Sequence, residues 1–487
     1  MSEPVRKLLH STFLYLPAQF IPPAVQFALT VSWTHLLDPA SFGFVTFVIA
    51  AQEFAAYLGL SVWSLFVLRF RLRFRGAAEA RFREMDKRMA VSASAVQLAL
   101  TPPILLLLGV PLRAPVVAAT AAYLVTRMLL SHYGDWARAG HAIGAYTSGQ
   151  LIGSLFGAGL SILFIRLFGS NPAAVLSALA FGQALALGVV AMQTGVRFGA
   201  GAFDREMFRD VSRFGAPSIV GGVVGWGAAN IIRVLVQTMS GPVALGLISA
   251  GWGLGQRIAG VLAMLLTAAA FPLAVKYMEN GDRRGALSQI SLNGVLLLGV
   301  LAPTTVGAAA LAQPMVNLLI AENFRESTSV ILPIAICAAS LRFLRIHVCD
   351  QAMILLERPE YSMIVSITET VMNVGLCAAG LHFGGLVGAA LGMLLGTTLA
   401  CVGAFLFCFL RLQLPAPTLW TAPRIALACV VMSVGVRATP HADSALSLAI
   451  AICAGAVIYA AAIVVLFPEI RIPLLHRLRR LTEAPAR

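Results

Sequence analysis

Apolar residues in this chain run in blocks of about twenty or more, each closed by a short turn bearing proline, glycine or asparagine. Blocks of that length are read as helices crossing the ~30 Å hydrocarbon core of a bilayer. The first is expected over 12–37, and Asp38-Pro39 turns it into a second that ends near Leu68. The third and fourth (90–111 and 115–135) meet at Pro111-Leu112-Arg113-Ala114-Pro115, and the fifth and sixth (142–167 and 172–194) at Gly169-Ser170-Asn171-Pro172. The seventh and eighth flank Ser240-Gly241-Pro242 between Phe214 and Asp282. Six more are expected over 287–311, 328–356, 361–380, 385–410, 424–440 and 445–467. The fold class this predicts is an all-α polytopic membrane protein of about fourteen transmembrane helices.

The turn of the first hairpin has a twin. Pro39-Ala40-Ser41-Phe42-Gly43-Phe44 and Pro242-Val243-Ala244-Leu245-Gly246-Leu247 both read proline, two further residues, a large apolar residue, glycine and a large apolar residue. An even number of spans separates them, so the two halves repeat in the same orientation. The expected organisation is an N-lobe of six spans (1–196), an inter-lobe loop (197–214) and a C-lobe of six spans (215–411). A segment with two further spans and a basic tail follows (412–487).

Composition sharpens this picture. The 487 residues are 59% hydrophobic and 11% charged, against about a quarter charged in soluble domains. The formal charge of +14 would suit nucleic acid, but the Lys and Arg residues cluster at span ends, as the positive-inside bias requires. Nucleic acid is therefore excluded as a partner, and both termini are expected in the cytoplasm, with Arg6 and Lys7 marking the first. The basic stretch from Arg69 to Met89 reads as a partly helical connector lying on anionic headgroups. All seven cysteines follow position 336, none in a Cys-x-x-Cys pair, and read as buried free thiols rather than a disulfide or metal framework. No loop is long enough for a catalytic domain, which argues against a membrane-bound glycosyltransferase, polymerase or ligase. No cofactor is expected.

Charges inside the spans are the candidate chemistry. Arg233 falls in the outer third of the membrane, Arg257 near its midplane, and Arg342 and Arg345 near the middle of the tenth span with Arg127 at a similar level in the fourth. Arg342 and Arg345, three residues apart, share a helix face. A guanidinium in hydrocarbon costs about 2.5–3.5 kcal/mol on the mildest scale, so each should face a cavity or an acid. Guanidinium groups bind phosphate oxygens bidentately, which suits an anionic cargo. The alternative is private pairing with Glu53, Asp350 or Glu369. Those same three acids are the candidates for carrying a coupling proton or sodium ion, because an intramembrane carboxylate can be neutralised in place. His347 stands three residues before Asp350, a spacing that allows a proton pair.

Several stretches carry a resemblance to a known family. LPAQFIPPAVQFALTVSWTHLLDPASFGFVTFV, RFGAPSIVGGVVGWGAANIIRVLV, GPVALGLISAGWGLGQ and FPLAVKYMENGD resemble the first, seventh and eighth spans of polysaccharide repeat-unit flippases (Wzx-type). NFRESTSVILPIA resembles the entry to their tenth span, and MNVGLCAAGLHFGGLVGAALG their eleventh-to-twelfth turn, with Asn373, Gly384, Gly385, Gly388 and Ala389. These belong to the multidrug, oligosaccharidyl-lipid and polysaccharide exporter superfamily. One departure is Ile232-Arg233, where relatives often carry an Asp-Arg pair. The resemblance implies two lobes around a central cavity and alternating access. The implied cargo is undecaprenyl-diphosphate-linked oligosaccharide, flipped to the periplasmic leaflet of a bacterial inner membrane for exopolysaccharide or O-antigen synthesis. A polysaccharide polymerase or chain-length and export machinery would be the partners. A lipid II flippase or a multidrug/cation exporter of the same superfamily are the alternatives.

Overall fold

Helices begin where the sequence supplies caps. Asp38 accepts a hydrogen bond from the Ser41 amide at 3.0 Å, with Pro39 at the first helical position, where its missing N–H has no partner to lose. Asn171 does the same for Ala173 ahead of Pro172, and Ser444 opens the last long helix with a reciprocal capping box to Ser447. The computed structural model describes residues 3–267, 270–439, 444–469 and 471–472, without the side chains of 3–13, 214 and 216–218. Arg6, Lys7 and the basic tail beyond Ile472, read above as cytoplasmic markers, thus lie outside the described side chains or residues.

Among the described residues every regular element is helical. In the first part of the chain these are α1 (Glu3–Leu36), α2 (Pro39–Gly59), α3 (Ser61–Phe70), α4 (Ala77–Leu107), α5 (Ala114–Ala139), α6 (Ile143–Phe168), α7 (Pro172–Thr194) and α8 (Arg205–Thr267). Then come α9 (Ala270–Glu279), α10 (Arg283–Ala310), α11 (Ala312–Leu319), α12 (Glu322–Arg345), α13 (Gln351–Leu355), α14 (Pro359–Arg411), α15 (Thr421–Ala438) and α16 (Ala445–Leu466). Among the described residues, eleven helical stretches are long and apolar enough to cross a membrane. Two of these run through backbone breaks, α8 at Gly241 (φ 84°) and α14 at Gly384 and Gly385 (φ 57°). A positive φ is a conformation glycine adopts freely, so the turns sit where the sequence placed them. The apolar blocks thus appear as fewer, longer helices. The second block is itself divided at Leu60, and the third starts at Ala77, inside the basic connector.

Two compact units divide the chain, Met1–Ala250 and Gly251–Arg487. The repeat puts a lobe boundary at 197–214, whereas packing carries the first half of α8 with the first unit. The reason is local: that half runs antiparallel along α2 and α3. A Cβ on Gly222 would stand 2.3 Å from the Tyr57 ring, and one on Gly215 would overlap Val62. The Trp226 indole N–H donates to the Ala50 carbonyl at 2.7 Å. Small residues let backbones approach where lipid supplies no hydrophobic drive between helices.

At the far end of this contact the twin motifs meet each other. A Cβ on Gly43 would stand 2.7 Å from Gly246 N and 2.9 Å from the Pro242 carbonyl oxygen, and one on Gly246 would stand 1.8 Å from the Pro39 carbonyl oxygen. The glycine of each copy faces the proline carbonyl of the other.

The first unit's core gathers Trp63, Phe66, Phe82, Met85, Met128, Tyr133 and Trp136 at the end where α4 begins, with Trp63, Phe74 and Trp136 stacked around Phe82. In the second unit the core is built on Ala274, Leu287, Ile290, Val348, Met353 and the buried thiols Cys349 and Cys408.

Candidate functional site

In the second unit, close packing brings charged groups together. Between its two glycines, α14 folds back on itself along a seam of small residues. A Cβ on Gly388 would stand 2.0 Å from the Gly380 carbonyl oxygen, one on Gly392 2.1 Å from that of Leu376, and one on Gly396 2.2 Å from Asn373 Oδ1. That approach sets the Thr397 hydroxyl 3.3 Å from Glu369 Oε1, to which it donates. The other oxygen, Glu369 Oε2, accepts from Arg345 Nη2 at 2.9 Å, while Arg345 Nη1 donates to Asp350 at 2.9 and 3.0 Å. All three are buried: Arg345 is 1% exposed, Asp350 8% and Glu369 0%.

Arg345 meets Asp350 because residues Ile346–Asp350 form a π turn. A π turn holds one residue more per turn than an α-helix, so side chains five apart come to one side. The sequence offers His347 as the partner of Asp350 at α-helical spacing; instead, His347 Nδ1 lies 3.4 Å from Gln351 Nε2. Arg342 and Arg345 both lie in the last turn of α12, ahead of the wider turn. Sequence spacing makes both of them cargo ligands on one face, but Arg345 is sealed against two acids, the private pairing left open above. Asp350 and Glu369, read as ion-coupling candidates, are the acids that seal it.

Arg342 stays half-buried, with its charge felt at Asp350. Half-buried Arg257 lies on the part of α8 that packs along α12. A Cβ on Gly255 would stand 2.6 Å from Ala335 Cβ, and one on Gly260 3.2 Å from the Phe343 ring. Arg257 therefore stands level with the stretch of α12 that leads to Arg342.

In the first unit, Arg233 is half-buried and donates from Nη1 to Asn230 Oδ1 on the preceding turn. Glu53, on α2, is exposed and acts on Arg233 through its charge. Arg127, half-buried on α5, has no hydrogen-bond or ion-pair partner among the described residues.

One buried polar network is not apparent from the sequence. Asp86 Oδ1 accepts from the Trp63 indole at 2.6 Å and lies 2.9 Å from His132 Nε2, while His132 Nδ1 lies 2.8 Å from the Ser64 hydroxyl. Sequence pattern places Asp86 in the basic connector, yet it lies on the buried face of α4 at 3% exposure. Its spacing from Phe82 and Ala90, four residues to each side, is the available signal. The order Ser64–His132–Asp86 has the connectivity of a hydrolytic triad. Burial of Ser64 at 7%, and its 3.1 Å hydrogen bond to the Leu60 carbonyl, make the network a clamp on the α2–α3 break instead.

Solved structures share this fold. The chain is similar to one titled lipid II flippase MurJ, inward closed conformation, at TM-score 0.75 and 12% identity, over 94% of this chain and 99% of that one. It is also similar to an inward-facing multidrug resistance MATE family transporter of the MOP superfamily (TM-score 0.56, 18% identity, 85% and 98% covered). A MOP superfamily transporter from Pyrococcus furiosus, whose title reports a binding pocket of reverse polarity, gives TM-score 0.52 at 17% identity, with 85% and 95% covered. At such identities the likeness is one of fold, and it is a fold of flippases and exporters. No curated protein matches the sequence. A family profile matches residues 8–278, more than half of the chain, and on that match this polytopic membrane protein belongs to the polysaccharide biosynthesis protein family.

Proposed function

We propose that the chain flips polyprenyl-diphosphate-linked oligosaccharide repeat units from the cytoplasmic to the periplasmic leaflet of a bacterial inner membrane. The product would feed exopolysaccharide or O-antigen synthesis, and the protein would work by alternating access. The observation that carries this reading is the set of four half-buried arginines held in otherwise apolar helices: Arg127, Arg233, Arg257 and Arg342. A diphosphate is doubly charged, and guanidinium forks bind it without losing their protons. Arg345 leaves the set, because two acids already occupy it. Of the acids, Glu53 is the exposed one and is assigned the coupling proton or sodium ion.

Complementation of glycan display in a flippase-null strain, with membrane levels of each variant measured, tests the assignment. Arg257→Ala combined with Arg342→Ala should abolish display, since each lost charge-assisted contact removes about ten- to a hundredfold in affinity. The corresponding lysine variants should retain part of it. In the same strain Glu53→Gln should remove dependence on the proton or sodium gradient. Full display by a well-expressed double alanine variant would sink the cargo reading.

A second reading, export of lipid II, is favoured by the extent of the likeness to MurJ. Profiling the lipid-linked sugars that accumulate in a deletion strain separates the two. A build-up of lipid II alone would replace the first reading by the second.

A further inference from the structure

A cavity of about 790 Å³ opens in the first unit where α4 begins and the connector from α7 to α8 returns. Its walls carry Arg81 and Lys87 on α4, Trp136 on α5, and Arg197, Asp204 and Arg205 on the connector and the start of α8. None of these residues belongs to the cargo set, and the chemistry of the cavity stands independently of the cargo reading.

The charges around this cavity do not cancel locally in equal measure. Glu84 is held by Lys87 at 2.5 Å, and Arg83 turns to Glu79 at 2.6 Å. Asp86 points inward to Trp63 and His132. Asp204 caps α8 through the Met207 amide at 3.0 Å. Every acid of the lining is thus committed to a neighbour. Arg81, Arg197 and Arg205 have no hydrogen-bond or ion-pair partner among the described residues. The first turn of α8 adds amide donors and the positive end of its dipole, answered in part by Asp204 and by Glu206 in that turn.

The rim is fixed rather than loosely draped. Gly201 (φ 63°) seats the connector on α4, where a Cβ would stand 2.2 Å from the Glu84 carbonyl oxygen and 2.7 Å from Arg88 N. The Asp204 amide lies 3.4 Å from Met85 sulfur. Trp136 is held from outside the lining by Arg71, which lies over its ring at 4.2 Å and donates to its carbonyl. A volume of this order suits a small molecule or a headgroup rather than a single ion.

We propose that this cavity is a binding site for a phosphate-bearing ligand, held by Arg81, Arg197 and Arg205 and separate from the transport route. The shared chemistry is a phosphate or diphosphate group. It could arrive on a soluble metabolite or on the headgroup of an anionic phospholipid from the adjoining leaflet.

The test uses the full chain in nanodiscs. One arm titrates sodium pyrophosphate against protein in neutral phosphatidylcholine discs and follows binding by thermophoresis. The other counts, by native mass spectrometry, the phosphatidylglycerol retained from mixed discs. Binding is expected in at least one arm, and which arm responds identifies the source. The triple variant Arg81→Gln, Arg197→Gln, Arg205→Gln should weaken it by about a thousandfold or more, as each of the three lost contacts removes about ten- to a hundredfold. Lysine at the same three positions should fall between, keeping charge without the fork. Melting temperature and monodispersity show whether each variant is folded, and the lysine variant keeps the test open should the glutamine one fail. Binding in neither arm, or binding undiminished in a folded glutamine variant, overturns the proposal.

Discussion

Each unit buries an ionic cluster, and the two settle the cost of burial differently. In the first, the carboxylate of Asp86 is met by an indole N–H and a histidine whose far nitrogen lies against a serine hydroxyl. Those partners are neutral or can become so, and the network closes with modest charge. In the second, one guanidinium stands between two carboxylates at an exposure of 1%. A fixed cation that cannot discharge holds that group of elements together. The first is a hydrogen-bond clamp and the second an electrostatic keystone, so they should respond unequally to losing a member.

The largest effect is expected at the keystone. Arg345→Met leaves two buried acids facing each other and should cost about 3–5 kcal/mol, enough to empty the membrane of folded protein. Adding Asp350→Asn and Glu369→Gln to that variant should recover most of the loss, because a fully neutral cluster is tolerated where a broken one is not. Melting temperatures of detergent-purified variants decide it. If the single variant melts like the wild type, the keystone description fails.

A smaller effect is expected at the clamp. Asp86→Ala strips the acceptor from Trp63 and His132 and should cost about 1–3 kcal/mol. The same melting series checks the order of the two clusters, and a loss larger than that of Arg345→Met would reverse the comparison.

The smallest concerns a carboxylate that is not sealed at all. Asp38 caps α2 and accepts from the Ser170 hydroxyl at 2.7 Å across two turns. Partial burial works to raise its pKa, but the Ser41 amide and the Ser170 hydroxyl outweigh it and hold it below the ordinary 3.8. A depressed carboxylate stabilises the fold fully above its unfolded value, and that contribution disappears as pH falls through the folded one. Asp38→Ala should cost about 0.5–2 kcal/mol near neutrality. Its difference from the wild type should shrink below about pH 4, as melting measured against pH would show. A difference independent of pH would assign the cap's effect to something other than its charge.

These clusters also mark where sequence pattern stops being informative. Turns are legible because their conformations need particular residues: Gly241 and Gly385 adopt positive φ where the apolar blocks break. The arginines of the spans are legible because charge in hydrocarbon demands a reason. Their partners are less so. Helical spacing pairs residues three or four apart, and the π turn at Ile346–Asp350 changes that rule without any residue that announces it. Asp86 is misplaced for a related reason. A run of arginines reads as solvated connector, although Phe82, Met85, Asp86 and Ala90 already trace a buried helical face within it.

The reciprocal contact of the two proline–glycine motifs has a consequence of its own. Gly43 meets the Pro242 carbonyl and Gly246 meets that of Pro39, so corresponding residues exchange places across the contact. That is the pattern of an isologous interface, in which a patch recognises its own copy about a two-fold axis. A six-span chain bearing a single copy would carry a surface complementary to itself, and two such chains side by side could close it with no new residue. Once both copies lie on one polypeptide, each is free to diverge at its other positions, as Ala40-Ser41 and Val243-Ala244 have. The glycines are bound jointly, since a side chain at either one presses on the backbone of both.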